Sequence, residues 1–275
     1  MLKSKILFNF YRFLSHITFG KLQRYFVAKK LSFTNPHTQA QKTLSQLVKN
    51  DLEQHNIFIV NNGKNNKINI SKDYSGFTGK IIINVSGNNN VIDIPFLKNI
   101  KGILTIICPG DFNVMQMKNI YVGGYLKIMF GKKHKSGVIP NKMRVVFGEN
   151  FCTEGTEIVL QHSNTGVCIG NNSMFSAGIY ISNSDHHPIY DMNTKKLING
   201  NVKDIVIGNN VWVGRNVTIL KNVEIVDGCI IGMGAVVSKK CDVSNGVYVG
   251  NPAVCKKKNV FWKQEDDDFV RNIYI

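Results

Sequence analysis

The residues best suited to move a proton lie in one short stretch, NSDHHPIY, residues 183–190. An imidazole, with an ordinary pKa of about 6.5, can take a proton from a hydroxyl and hand it to a leaving group at neutral pH. Successive side chains of an extended backbone point to opposite sides, so His186 and His187 would not both serve one transfer, and the spacing leaves open which does. Asp185 would share a side with His187 in a strand, where it either orients an imidazole or acts as a turn residue. The sequence has no GxSxG elbow and no convincing Ser-His-Asp order. A covalent enzyme intermediate is therefore not suggested, and an acceptor group should attack directly. The six cysteines, at 108, 152, 168, 229, 241 and 255, form no CxxC pair and no cluster with histidine, so no metal is expected and a reducing compartment suits them.

Side chains of this kind need a rigid wall to hold them, and the strongest periodicity in the chain supplies one. From Ile207 an aliphatic residue recurs every sixth position, at Val213, Ile219, Ile225, Ile231, Val237 and Val243, with Gly following at 208, 214 and 232. Neither 3.6 nor 2 accounts for that beat as a helix or strand period, which points to a short stacked repeat. Four places into each hexad stand Val211, Val217, Val223, Cys229, Ala235 and Cys241, small enough for a corner. A three-faced prism follows, with 18 residues per coil, one aliphatic side chain filling the interior behind each face, and Cys229 and Cys241 as buried filler.

The beat extends upstream through Ile169, Phe175 and Ile181, and more weakly through Phe147, Thr153 and Val159. It fails between Ile181 and Ile207, which are 26 residues apart, two more than four hexads. The chain must leave the prism there as a loop, immediately after the histidine pair. Between about 56 and 130 the hexad is absent, but Ile/Val strings alternate with Asn/Gly turns and read as strands of less regular coils.

With these features in place, the chain resembles the hexapeptide-repeat acyltransferases, in their polysaccharide and sugar O-acetyltransferase branch. The resemblance rests on Asp185-His186-His187-Pro188-Ile189, the loop, and then DIVIGNNVWVGRNVTILKNVEIVDGCIIGMGAVV from 204 onward. It implies an all-β fold, a left-handed parallel β-helix, with an N-terminal basic amphipathic helical segment and one long loop excursion. It implies an acetyl-CoA-dependent transfer in which His187 takes the place of the catalytic base. His186 stands where such proteins carry a small residue, and Pro188 follows the base, which keeps His186 in competition. Trp212, 25 residues after His187, matches a tryptophan that lies beside the reactive centre or the acceptor sugar. Coenzyme A would lie along late coils, with Gly232, Gly234 and Ala235 offering small residues and open strand-edge backbone. Gly250 and Pro252 match the terminal turn, and Lys239, Lys256 and Lys257 are candidates for its phosphates. Proteins of this type are usually homotrimers with sites between neighbours.

The formal net charge is +16 over 275 residues, and neither Asp nor Glu occurs before Asp51. Leu2, Ile6, Phe10, Phe13 and Ile17 fall on one helical face within that basic stretch, which suits peripheral membrane contact through residues 1–30 or packing on the end of the solenoid. No 18-residue apolar run predicts a spanning helix, and the interrupted apolar stretch argues against a secretory leader. The expected location is cytoplasmic, including the inner face of the membrane. No helix-turn-helix, zinc-finger or RNA-binding signature accompanies the charge, so nucleic acid is not expected, whereas CoA and acidic glycans fit it. The expected organisation is a helical segment 1–50, irregular rungs 51–140, hexapeptide coils 141–258 with a loop at 188–204, and a tail 259–275. Acetylation of a capsular or lipopolysaccharide glycan or its precursor leads. Amino-sugar N-acetylation, a metal enzyme like the γ-class carbonic anhydrases and a non-catalytic scaffold remain alternatives, although His162, His186 and His187 are poorly spaced for one zinc site.

Overall fold

The computed structural model describes residues 47–133 and 137–264, and the chain falls into two compact units, 1–49 and 50–275. The helical face expected within residues 1–30 lies outside the described residues. The second unit is a left-handed parallel β-helix. Its described strands form a thirteen-stranded and a seven-stranded sheet. Pairing between the named strands is parallel, except that the last, Val254–Lys257, runs antiparallel to Val247–Val249.

Strand Cys152–Leu160 shows how three faces arise from two sheets. Its start pairs with Met174–Phe175 and its end with Ile179–Ser182, so it bends around a corner. Beyond it the first face stacks Met174–Phe175, Trp212–Val213 and Ile230–Ile231, while the second stacks Ile179–Ser182, Thr218–Ile219 and Val236–Val237. The third stacks Gly166–Ile169, Ile205–Ile207 and Glu224–Ile225. Trp212 pairs with Ile230, Thr218 with Val236 and Val206 with Glu224, each 18 residues on. The aliphatic beat is the interior: Ile207, Val213, Ile219, Ile225, Ile231 and Val237 are at most 1% exposed, as are the corner residues Val211, Val217, Val223, Cys229 and Ala235. Val243 is only partly buried, because the register shifts there: Cys241, not Val243, pairs with Ile225.

In the earlier coils the repeat lengthens, and this hides it from a six-residue reading. Ile81 pairs with Leu104 and Leu104 with Leu126, at spacings of 23 and 22 residues. The second face there is a strand long enough to bury alternate residues, as Ile81, Ile83 and Val85 do, whereas the first narrows to the bridge between Ile100 and Val122. Two details differ from the expected phase. Ile158, not Val159, lies under Ile181, because Cys152–Leu160 rounds its corner with one residue fewer than the coil above. There is also a second excursion, between Phe130 and Arg144, where Val114 pairs with Arg144 thirty residues on. It falls among coils with no hexad phase to interrupt.

The corners explain the abundance of Asn. Of the fifteen described non-glycine residues with positive φ, eleven are asparagine, the residue besides glycine that best tolerates the left-handed conformation. Asparagine amides also join successive coils. The Oδ1 of Asn66 accepts from Asn90 N, that of Asn90 from Asn113 N, and that of Asn113 from Met143 N, at 2.8 to 2.9 Å. Gly170 sits where a Cβ would lie 2.6 Å from the carbonyl carbon of Gly208, so only glycine lets these two corners stack.

Because the interior is a single filled column, Ile219→Ala should cost about 2–5 kcal/mol through a cavity that neighbouring coils cannot collapse into. Urea unfolding monitored by circular dichroism checks this, with Val243→Ala as the milder comparison.

Candidate active site

The histidine loop leaves the β-helix after Ile179–Ser182 and rejoins it at Ile205–Ile207, at the corner between the second and third faces. His162 occupies this corner one coil earlier and Lys221 one coil later. Asn183 roots the loop. Fully buried, it accepts from Gln161 N at 2.7 Å and donates to Thr165 Oγ1 at 2.8 Å. Burial without partners would cost a side-chain amide several kcal/mol, so these bonds hold it in a single orientation.

The backbone then departs from the extended form expected of it. His186 has φ of 61°, with its N–H donating to Ser184 Oγ at 2.9 Å, and His187 N donates back to Asp185 O at 2.8 Å. The opposite-sides argument for the two rings does not apply to this tight turn. Both histidines are exposed. From Ile189 to Ile198 the loop is a small hairpin, with Tyr190 bridging Leu197 and Ile198 N donating to Ile189 O at 2.9 Å. Asp191 closes its tip by accepting from Thr194 N and Oγ1, and these bonds hold its carboxyl below the usual range.

Asp185 is not hydrogen-bonded to either imidazole among the described residues. Its Oδ2 accepts from Lys221 Nζ and, at 2.8 Å, from Asn199 Nδ2. The Lys221 bond is the chief reason its carboxyl lies below the usual range. His162 stands near both partners. Burial pushes its pKa below the ordinary value, Lys221 pushes it the same way, and Asp185 opposes them. Sequence reasoning does not assemble His162, Asn199 and Lys221, whose separations in the chain carry no recognisable motif.

Trp212 begins a strand of the first face, next to the corner between the third and first faces. Within one chain it is on a different edge of the prism from His187. Its indole Nε1 is buried and without a partner among the described residues. Trp262 lies over it, with ring centroids 6.1 Å apart and the Trp262 Nε1 donating to Asn210 O at 2.6 Å. The tail thus returns along that corner.

The late coils are less open than expected. Ala235 is fully buried, its carbonyl accepts from Thr218 N, and its side chain cannot line a groove. The Val236 backbone is bonded to Gly250 O and Ala253 N, so the strand edge is occupied by the turn containing Gly250 and Pro252. Gly232 N donates to Tyr248 O. Gly234 is exposed, with nothing within 4 Å of where a Cβ would stand. Lys239, Lys256 and Lys257 are exposed, whereas Lys240 pairs with Glu224 at 2.8 Å. Among the described residues no group of three or more His, Cys, Asp or Glu could hold a metal ion.

Residues 204–239 match the family model described as bacterial transferase hexapeptide (six repeats). A polysialic acid O-acetyltransferase of Escherichia coli O1:K1 / APEC is 35% identical over 144 residues, which are 52% of this chain and 46% of that protein. The chain therefore spans about half the length of this curated relative. The crystal structure of the polySia-specific acetyltransferase NeuO superposes with a TM-score of 0.63 at 31% identity, covering 77% of this chain and 91% of that one. That of the polysialic acid O-acetyltransferase OatWY does so with a TM-score of 0.50 at 26% identity, covering 78% and 98%.

Two measurements test this geometry. A His whose folded pKa is depressed loses stabilisation as pH falls below its unfolded value of about 6.5, and a depressed Asp does so below about 3.9. Acidification should therefore loosen residues 183–204 in two stages, seen as faster amide exchange, and His162→Gln should abolish the upper stage alone. Burial raises the thiols of Cys108 and Cys241 to about 12 and that of Cys152 to about 11. A thiol reagent at about pH 8 should accordingly label the folded protein at the partly exposed Cys168 and Cys255 far faster than at these three.

Proposed function

Since this chain belongs to the bacterial hexapeptide-repeat transferase family, we propose that it is an acetyl-CoA-dependent O-acetyltransferase acting on an acidic capsular glycan, polysialic acid or a polymer of like charge. Its likeness to the polySia-specific acetyltransferase over 91% of that chain carries the reading. The net charge of +16 supports it, since a positive field raises the capture rate of a polyanion.

In this reading His187 is the base. It is exposed on a turn fixed at both ends, so its imidazole can meet a sugar hydroxyl, accept its proton as the oxygen attacks the acetyl carbonyl, and return that proton to the departing sulfur. Acetyl-CoA supplies the acyl group and a thiolate leaving group. The donor side fits the late coils in part: Gly234 leaves open space, and Lys239, Lys256 and Lys257 are exposed cations for phosphate, while Ala235 contributes backbone alone. A backbone N–H or side-chain donor near the base would stabilise the oxyanion.

His187 and Trp212 stand on different edges of one prism, so a site containing both needs two copies. We place that site between neighbours of a homotrimer, where cyclic symmetry would repeat it three times. The protein would work where acetyl-CoA is made, in the cytoplasm, with residues 1–30 as the segment proposed for contact with the membrane.

Release of CoA from acetyl-CoA, followed with a thiol-reactive dye in the presence of polysialic acid, tests the reading. His187→Ala should lower turnover by about 100-fold or more, and His186→Asn, which suits the left-handed turn, should retain most of it. Absence of release with any acidic glycan, or an active His187→Ala protein, would refute the assignment.

A further inference from the structure

We infer that Lys221 and Asn199 are positioning residues that clamp the histidine turn onto the following coil. The inference rests on the proposed role of His187, and its physical basis is a closed set of bonds around that turn. Lys221 Nζ donates to Asp185 Oδ2 and, at 3.1 Å, to Asn199 O. Asn199 donates from Nδ2 to Asp185 Oδ2 at 2.8 Å and to His187 O at 2.9 Å, while its Oδ1 accepts from Ile189 N at 2.9 Å. Asp185 and Ile189, on either side of the histidine pair, are thereby tied to one side-chain amide. The backbone carbonyl of that same asparagine is tied to a lysine on the regular β-helix.

The placement makes the clamp more than a surface ion pair. Lys221 lies two residues after Ile219, which fills the interior, so its Cα is carried by the stiff part of the fold. Its side chain is only 18% exposed and that of Asp185 is 35% exposed, so solvent screens this pair less than an open one. The Asp185 carboxylate is deflected from both imidazoles and engaged in holding their backbone. Lys221 also faces His162 across the corner and favours its neutral form. A second cation is therefore not placed beside the turn at neutral pH.

Lys221→Met keeps the aliphatic stem and removes the ammonium. It should lower kcat by about 10- to 100-fold, since a displacement near 1 Å suffices for such a loss, while the KM for acetyl-CoA stays within about twofold of wild type. Lys221→Arg should restore most of kcat. Hydrogen exchange of the amides of His187, Ile189 and Ile198 should quicken in Lys221→Met and in Asn199→Ala, with the amides of Ile219 and Ile231 unchanged. Wild-type exchange at the loop in both variants would overturn the clamp, as would a Lys221→Met protein with unaltered kcat. Exchange needs no turnover, so it judges the clamp even if wild-type protein acetylates no glycan, a result that would count against the reaction assignment instead.

Discussion

Everything in the β-helix answers to the requirement that each coil stack in register over the one before it. Parallel ladders along three faces fill the interior with one column of aliphatic side chains, and close packing leaves that column no room for an additional residue. An insertion can leave only at a corner, where the backbone already turns. Both excursions, after Phe130 and after Ser182, do so at the same corner, between the second and third faces. The loop that carries the histidine pair is thus on an edge of the prism because its interior and its paired strands admit nothing else.

An edge loop serves a reaction only if it is held. Here the regular coils provide the fixing points: the buried Asn183 at the root, Lys221 one coil above, and Asn199 reaching back across the hairpin. The Asp185 carboxylate, which the sequence offered as an orienter of an imidazole, is instead engaged with the Lys221 ammonium and the Asn199 amide. The corner thus combines a rigid wall with a short turn stitched to it. The two histidines remain exposed to solvent.

How much of this arrangement is legible in the residue order depends on how closely residue type follows position. In the late coils each face holds one interior residue, so six-residue spacing translates directly into burial and the prism can be read from the sequence alone. In the early coils the same interior is filled by alternate residues of longer strands, and corners of variable length blur the phase. That is why Ile158 takes the place expected for Val159, and why the excursion after Phe130 leaves no mark in the pattern. Ala235 is legible as a small corner residue, but its inward direction follows from the same pattern and removes its side chain from any groove. The extended backbone expected at His186 fails for a local reason, the Ser184 hydroxyl drawing the chain into a left-handed turn.

By itself the sequence determined the repeat, its interior positions, its interruption, and the histidine pair at that interruption, because these depend on side-chain volume and polarity at fixed spacing. Tertiary structure alone decided which residues meet at the corner. His162, Asp185 and Lys221 are adjacent in space because coil stacking brings together residues separated by whole coils and by a loop whose path no periodicity specifies. It decided equally that Trp262 covers Trp212 and that Trp212 and His187 occupy different edges, since direction around a prism depends on where each corner turns.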